Sequence, residues 1–182
     1  SGQLRRDASN AVAAGRTILT GANTYTGGTL VLAGTLLVNN SSGSGTGSGS
    51  VVVSDAGTLS GTGAISGAVT CAGTISPGQS AGALTLGGGL DLSGGGTNVW
   101  ELTALTTAGE GTNFDQIVLT DGSLALGGSS RLQLSFIGSA TSPSGGDPFW
   151  QGVRSWKIIS LTGTATNSGA TKFPMILNKS FA

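Results

Sequence analysis

The chain has no histidine, a single cysteine, four prolines and few charges. Without histidine, a Ser or Cys nucleophile lacks its commonest general base. The lone Cys71 excludes an internal disulfide framework. In Ala68-Val69-Thr70-Cys71-Ala72 it keeps phase with Val69, which reads as a small buried hydrophobe. Eight basic and eight acidic residues balance, and Asp55 is the only formal charge between Ile18 and Leu90. A neutral wall of Ser, Thr, Asn and Gly cannot hold a polyanion by counterion release, so nucleic acid is not an expected partner. The same wall offers anionic lipid no basic patch. No apolar run approaches the ~20 residues that cross a bilayer, so no membrane insertion by this chain is expected. A signal peptide is not recognisable either, and the opening Ser1-Gly2-Gln3-Leu4 suggests a chain processed or excised from something longer.

Glycine is abundant instead, at thirty-four residues. With so little proline and no three-residue period, the composition is not that of collagen. Hydrophobic residues make up 37% of the chain and come in short bursts, which a disordered linker would lack. The glycines therefore read as turn and corner residues of an ordered β protein. One motif returns three times: Ala33-Gly34-Thr35-Leu36, Ala56-Gly57-Thr58-Leu59 and Ala72-Gly73-Thr74-Ile75, at steps of 23 and 16 residues. Repetition near 20 residues marks a stacked architecture, in which each unit buries its apolar face only against its neighbours.

From Thr17 onward the apolar residues alternate. Leu30 and Leu32, Leu36 and Val38, Val51 and Val53, Val69 and Cys71, Leu84 and Leu86, and Leu90 and Leu92 are i, i+2 pairs on single strand faces. Short, frequent strands without intervening helix predict an all-β fold, and the recurring Ala-Gly-Thr step selects a β-solenoid over a sandwich or barrel. Residues 1–16 are expected to form a cap or linker, with one or two helical turns between Asp7 and Gly15. Residues 17–105 are expected to be slim solenoid turns. Tyr25 is the only aromatic residue before Trp100, whereas three tryptophans and five phenylalanines follow. Residues 106–182 are therefore expected to form a broader, aromatic-rich C-terminal region, with strands over Phe114–Thr120, Arg131–Ile137 and Ser155–Leu161. The end at Phe181-Ala182 still reads as β sequence, so a strand is expected beyond it or from elsewhere.

Candidate chemistry is sparse. The run Ser42-Gly43-Ser44-Gly45-Thr46-Gly47-Ser48-Gly49 lacks the Lys-Ser/Thr ending of a phosphate loop, and Gly61-Thr62-Gly63-Ala64-Ile65-Ser66-Gly67 precedes no helix. Both read as solenoid turns. Gly87-Gly88-Gly89-Leu90-Asp91-Leu92 is similar to a calcium-binding nonapeptide, but one carboxylate in one copy is no metal site. Asp91, Glu101, Glu110, Asp115 and Asp121 are the densest acids. No two share an i, i+2 position and no Lys or Arg lies between Arg16 and Arg131, so they read as surface or turn carboxylates and not as a hydrolytic pair. No catalytic residue and no cofactor is expected. Phe149-Trp150, beside Pro148 in a loop, reads either as packing over the solenoid end or as a platform for a sugar ring of a surface polysaccharide.

The stretch Leu19-Thr20-Gly21-Ala22-Asn23-Thr24-Tyr25-Thr26-Gly27-Gly28-Thr29, leading into Ala33-Gly34-Thr35-Leu36, resembles the autotransporter-associated β-strand repeat, also called the passenger-associated transport repeat. Gly73–Leu84 and Asp115–Leu119 resemble its usual continuation, so that the likeness covers about residues 17–137. Asp147-Pro148-Phe149-Trp150 and Trp156-Lys157-Ile158-Ile159 are similar to an ending of large secreted repeat proteins of that kind. The resemblance implies a right-handed parallel β-helix on the outside of a bacterial cell, with no catalytic residues. Within the motif, Asn23 is expected to stack or cap along the axis, Tyr25 to cover the first turn, and Gly27-Gly28 to make a tight corner with positive φ. The function that follows is an extracellular structural module, a passenger stalk or surface-filament subunit that joins copies head to tail through the solenoid ends. A carbohydrate-binding adhesin is the alternative; a polysaccharide-degrading enzyme is the third reading.

Overall fold

The computed structural model of the chain describes residues 1–7, 15–141 and 143–177. The helical turns expected before Gly15 fall on residues outside this set, as does Phe181-Ala182.

The chain coils upon itself. Its first turn holds β1 (Leu4–Arg6) and β2 (Arg16–Leu19), so pairing begins within the first sixteen residues. A single long strand, β3 (Thr29–Val38), covers both, with Leu4 beside Thr29 and Arg16 beside Thr35. The next strand, β4 (Val51–Gly61), repeats that course, and β5 (Ala64–Ile65) opens a third face. Three strands then serve each turn: β6 (Val69–Cys71), β7 (Thr74–Pro77) and β8 (Ala83–Leu86), followed by β9 (Leu90–Asp91), β10 (Thr97–Leu102) and β11 (Gln116–Leu119). After them come β12 (Ser123–Ala125), β13 (Arg131–Phe136) and β14 (Ile159–Leu161), then β15 (Thr166–Asn167) and β16 (Met175–Leu177). A twelve-stranded sheet wraps two faces because β3 and β4 bend between them, and β5, β8, β11 and β14 make the third. Strand pairing joins successive turns and is parallel throughout the described strands. The fold is a parallel β-solenoid.

The Ala-Gly-Thr motifs form one column of this stack. Ala33, Gly34, Thr35 and Leu36 pair with Ala56, Gly57, Thr58 and Leu59, and Thr58 and Leu59 pair in turn with Thr74 and Ile75. The glycines are needed where the chain turns the corner between faces. A Cβ on Gly57 would run into the Val31 carbonyl, and one on Gly73 into the carbonyls of Ser54 and Gly57. The threonines face outward and the Leu/Ile positions face the core, as a period of two requires.

Five of the six i, i+2 pairs lie wholly in the core, including Leu36 with Val38 and Leu84 with Leu86. Leu30 and Leu32 are the exception: they are half-buried on the outer side, and Val31 between them is the core residue. Cys71 is buried in the same aliphatic cluster. Desolvation there pushes its thiol up to about 12, so it stays an inert hydrophobe.

The stack widens toward its C-terminal end. Stacked partners Val51 and Val69 are 18 positions apart, whereas Leu90 and Leu124 are 34 apart and Leu124 and Asn167 are 43 apart. The added residues form two inserts, 103–115 between β10 and β11 and 137–158 between β13 and β14. Both occupy the same corner: Ser139 N–H donates to Thr103 O and the Trp156 indole N–H to Thr106 O between the inserts, while Ile137 N–H donates to Leu102 O at the end of β10. A second core fills the widened corner, built on Trp100, Leu102, Phe114, Leu132 and Ala140. All three expected strands of this region are shorter than the sequence suggests, the one over Arg131–Ile137 by a single residue, since it is Arg131–Phe136. The one over Phe114–Thr120 is Gln116–Leu119. The one over Ser155–Leu161 is Ile159–Leu161, because Trp156 turns into the second core and donates its indole N–H to Thr106 O.

Candidate functional site

The polar motif ahead of β3 supplies, through side chains, what strands supply later on the third face. Asn23 sits over the loop one turn below: its backbone N–H donates to Ser44 O at 2.8 Å and its side-chain amide to Gly45 O at 2.7 Å. Gly45 N–H donates onward to Ala64 O, so the line of bonds reaches β5. Tyr25 is half-buried, with its hydroxyl 2.8 Å from the Thr29 hydroxyl and its carbonyl accepting from Ser48 N–H. Gly28 has φ of 82°, the left-handed region where a side chain is strained. Gly27 is small for another reason: a Cβ there would lie 2.5 Å from Gly2 O on the preceding turn.

Asp115 departs from the expectation of a surface or turn carboxylate. It is 1% exposed, because the insert 103–115 closes by folding its last residue under β10. Its Oδ1 accepts from Gly82 N–H at 2.8 Å and its Oδ2 from Glu101 N–H at 3.1 Å. Its own N–H donates to Glu101 O, and its carbonyl accepts the Trp100 indole N–H at 2.9 Å. Burial pushes its carboxyl up to about 8; the two backbone N–H bonds pull the other way and the nearby Glu101 charge adds a little to the rise. Glu101, half-buried, is raised by desolvation too. A hydrolytic pair needs one acid of raised pKa beside one that stays ionised, whereas here both are raised and both Asp115 oxygens are held by main-chain N–H groups away from solvent. The residue works as a junction that ties one turn to the next. Sequence alone hides the pairing, because 14 positions of irregular loop separate the partners.

Other flagged residues stay local. The Asp91 carboxylate accepts from Ser93 N–H and hydroxyl within its own turn. Asp121 is the exception: fully exposed, it accepts from the Thr164 hydroxyl on the next turn and from the Gly122 N–H, and both bonds lower its pKa. Among the described residues no three His, Cys, Asp or Glu side chains are grouped to hold a metal. The glycine-rich run 42–49 forms turns, with Gly43 and Gly47 at φ of 63° and 64°.

Phe149 and Trp150 join a ring cluster at the mouth of the second core. Their rings meet edge to face at 5.0 Å; Trp150 meets Phe136 at 5.6 Å, and Trp156 meets Trp100 at 5.4 Å. The Arg154 guanidinium lies 4.7 Å over the Phe149 ring. Between Trp100, Phe136, Trp150 and Trp156 is an open pocket of about 310 Å³, with Arg154 at its rim. Phe149 itself stands outside the lining and supports Arg154 and Trp150 from behind.

Residues 14–38 match the family model of the passenger-associated-transport-repeat. This segment is a passenger-associated transport repeat. It spans one turn of the coil, since its two flanks, Arg16–Leu19 and Thr35–Val38, are hydrogen-bonded neighbours. The two continuation segments at Gly73–Leu84 and Asp115–Leu119 lie outside the match. None of the curated proteins and none of the solved structures compared with the chain matches it. The repeat is a structural unit of autotransporter passengers and brings no catalytic residue with it. Its family implies a secreted or surface bacterial protein.

Proposed function

We propose that the chain is an extracellular structural module, a stretch of passenger stalk or a surface-filament subunit whose work is extension and self-association. The observation that carries this reading is the closure of the passenger-associated repeat on itself, Arg16 against Thr35 and Leu19 against Val38. A unit of that kind lengthens the particle by one ladder spacing, about 4.8 Å, each time it recurs. The coil winds to the right in this reading, the hand that crossovers between parallel strands take.

The two ends bear on self-association in opposite directions. The first turn carries Arg5, Arg6 and Arg16, and a charged edge of this kind resists addition of further strands. At the other end β14, β15 and β16 are the outermost described strands of their ladders, and Leu161, Met175 and Ile176 are 40–47% exposed there. Apolar side chains beside unpaired strand edges favour addition of another copy. Electron microscopy of purified protein at high concentration tests this, with Ile176→Lys as the control. Rods or filaments that shorten in the variant support the reading. Strictly monomeric particles of both proteins contradict the self-associating part of it.

A further inference from the structure

The pocket in the widened corner has a composition unlike the rest of the wall. Its floor and sides are rings, and among the described residues lining it Arg154 is the only charged one. Two of its indoles are fixed before any ligand arrives: Trp100 N–H is bonded to Asp115 O and Trp156 N–H to Thr106 O, each at 2.9 Å. Those donors are spent, so both residues present ring faces only. The guanidinium at the rim is steadied by its stack on Phe149 and by one bond to Val153 O at 3.3 Å, which leaves most of its five N–H donors for something else.

We propose that this pocket binds a compact aromatic carboxylate, with its ring packed against the pocket-facing sides of Trp150 and Trp156 and the carboxylate on the Arg154 guanidinium. The volume, about 310 Å³, stands at the small end of ligand pockets, which bind one ring and its substituent. Aromatic faces prefer tilted or offset partners at 4.5–7 Å; the existing rings already keep that spacing among themselves, so an incoming ring adds to the cluster from the open side of the pocket. An arginine fork pairs with a carboxylate through two parallel bonds, and no acid lines the pocket to compete for it. A sugar ring fits the lining less well. Each hydroxyl buried without a partner costs about 1–3 kcal/mol, and the spent indole donors offer it nothing. The shared chemistry is a ring bearing a carboxylate, whether a free acid or the end of a peptide. This inference goes beyond the structural role and is independent of it.

All three tryptophans of the chain line this pocket, so intrinsic fluorescence reports on it directly. The experiment titrates the full chain with 3-phenylpropionate, with the neutral 3-phenylpropan-1-ol, with glucuronate and with the tripeptide Gly-Gly-Phe. Arg154→Gln, an exposed substitution that leaves the cores intact, is run beside the unmodified protein. The expected result is a saturable fluorescence change with 3-phenylpropionate or Gly-Gly-Phe, the tighter of the two naming the source. Affinity should fall at least about fivefold for the alcohol and for the variant, about 1 kcal/mol. The proposal is overturned by no saturable change, by equal affinity for acid and alcohol, by an unaffected Arg154→Gln, or by tighter binding of glucuronate.

Discussion

Arg16 lies in parallel register with Thr35, one turn further along the chain. The residues between them contain Asn23, Tyr25 and the Gly27-Gly28 corner, so the family motif and the structural turn coincide. Stability in such a stack is a sum over turns and the contacts between them, because each turn touches only its neighbours. Substitutions therefore act on columns, and columns make the predictions specific.

The interior column beginning at Leu36 runs through Leu59 and Ile75 to Asn98, then to Leu132. Asn98 is buried, and neither atom of its side-chain amide has a hydrogen-bond partner. Asn98→Leu restores an apolar column and removes that desolvation cost. Chemical denaturation should show the variant more stable by about 1–3 kcal/mol; a less stable variant contradicts the assignment.

The glycine column predicts the opposite sign. Gly57→Ala drives a Cβ into the Val31 carbonyl, whereas Gly94→Ala meets nothing within 4 Å. Thermal unfolding should register a loss of about 1–3 kcal/mol for the first and almost none for the second. Equal effects would mean that the Ala-Gly-Thr motifs do not form this corner.

Much of this was legible in the sequence, for one reason. Three Ala-Gly-Thr steps and the i, i+2 pairs encode a column and a face, and both depend on spacing alone. Leu30 and Leu32 mislead because their alternation is out of phase with the core, and only the neighbouring Val31 is buried. The inserts are another matter. Asp115 and Glu101 meet through a loop with no period, and Trp156 leaves an apparent strand to satisfy its indole N–H at Thr106. Contacts set by irregular backbone leave no repeat to read.

Asp115 gives the stability a pH dependence. Its folded-state pKa of about 8 lies above its unfolded value near 3.8, so the unfolded chain releases that proton first. The stability is fully present below about pH 4 and is lost as pH rises to about 8, with a slope of up to about 1.4 kcal/mol per pH unit. Glu101 shifts in the same direction and leaves a residual slope. Denaturation midpoints between pH 4 and 8 should fall, and Asp115→Asn should flatten the fall. A flat or rising profile in the unmodified protein, or an unchanged slope in the variant, would contradict a carboxyl raised by burial at Asp115.

Cys71 offers a simple probe of the slim core. Buried and pushed up to about 12, its thiol should resist an aromatic disulfide reagent at pH 8 in the native state and react at once in denaturant. Rapid native labelling would place it outside the aliphatic cluster.

The stack itself is tested most directly by distance. Arg5, Leu30, Val52, Thr70, Asp91 and Ala125 follow one another in register down a single column. Spin labels at Arg5→Cys and Ala125→Cys, read by double electron–electron resonance, should lie five ladder spacings apart, about 24 Å. Moving the first label to Leu30→Cys should shorten the distance by about 4.8 Å. Equal distances for the two pairs, or broad distributions without a step, would contradict a coil of parallel turns.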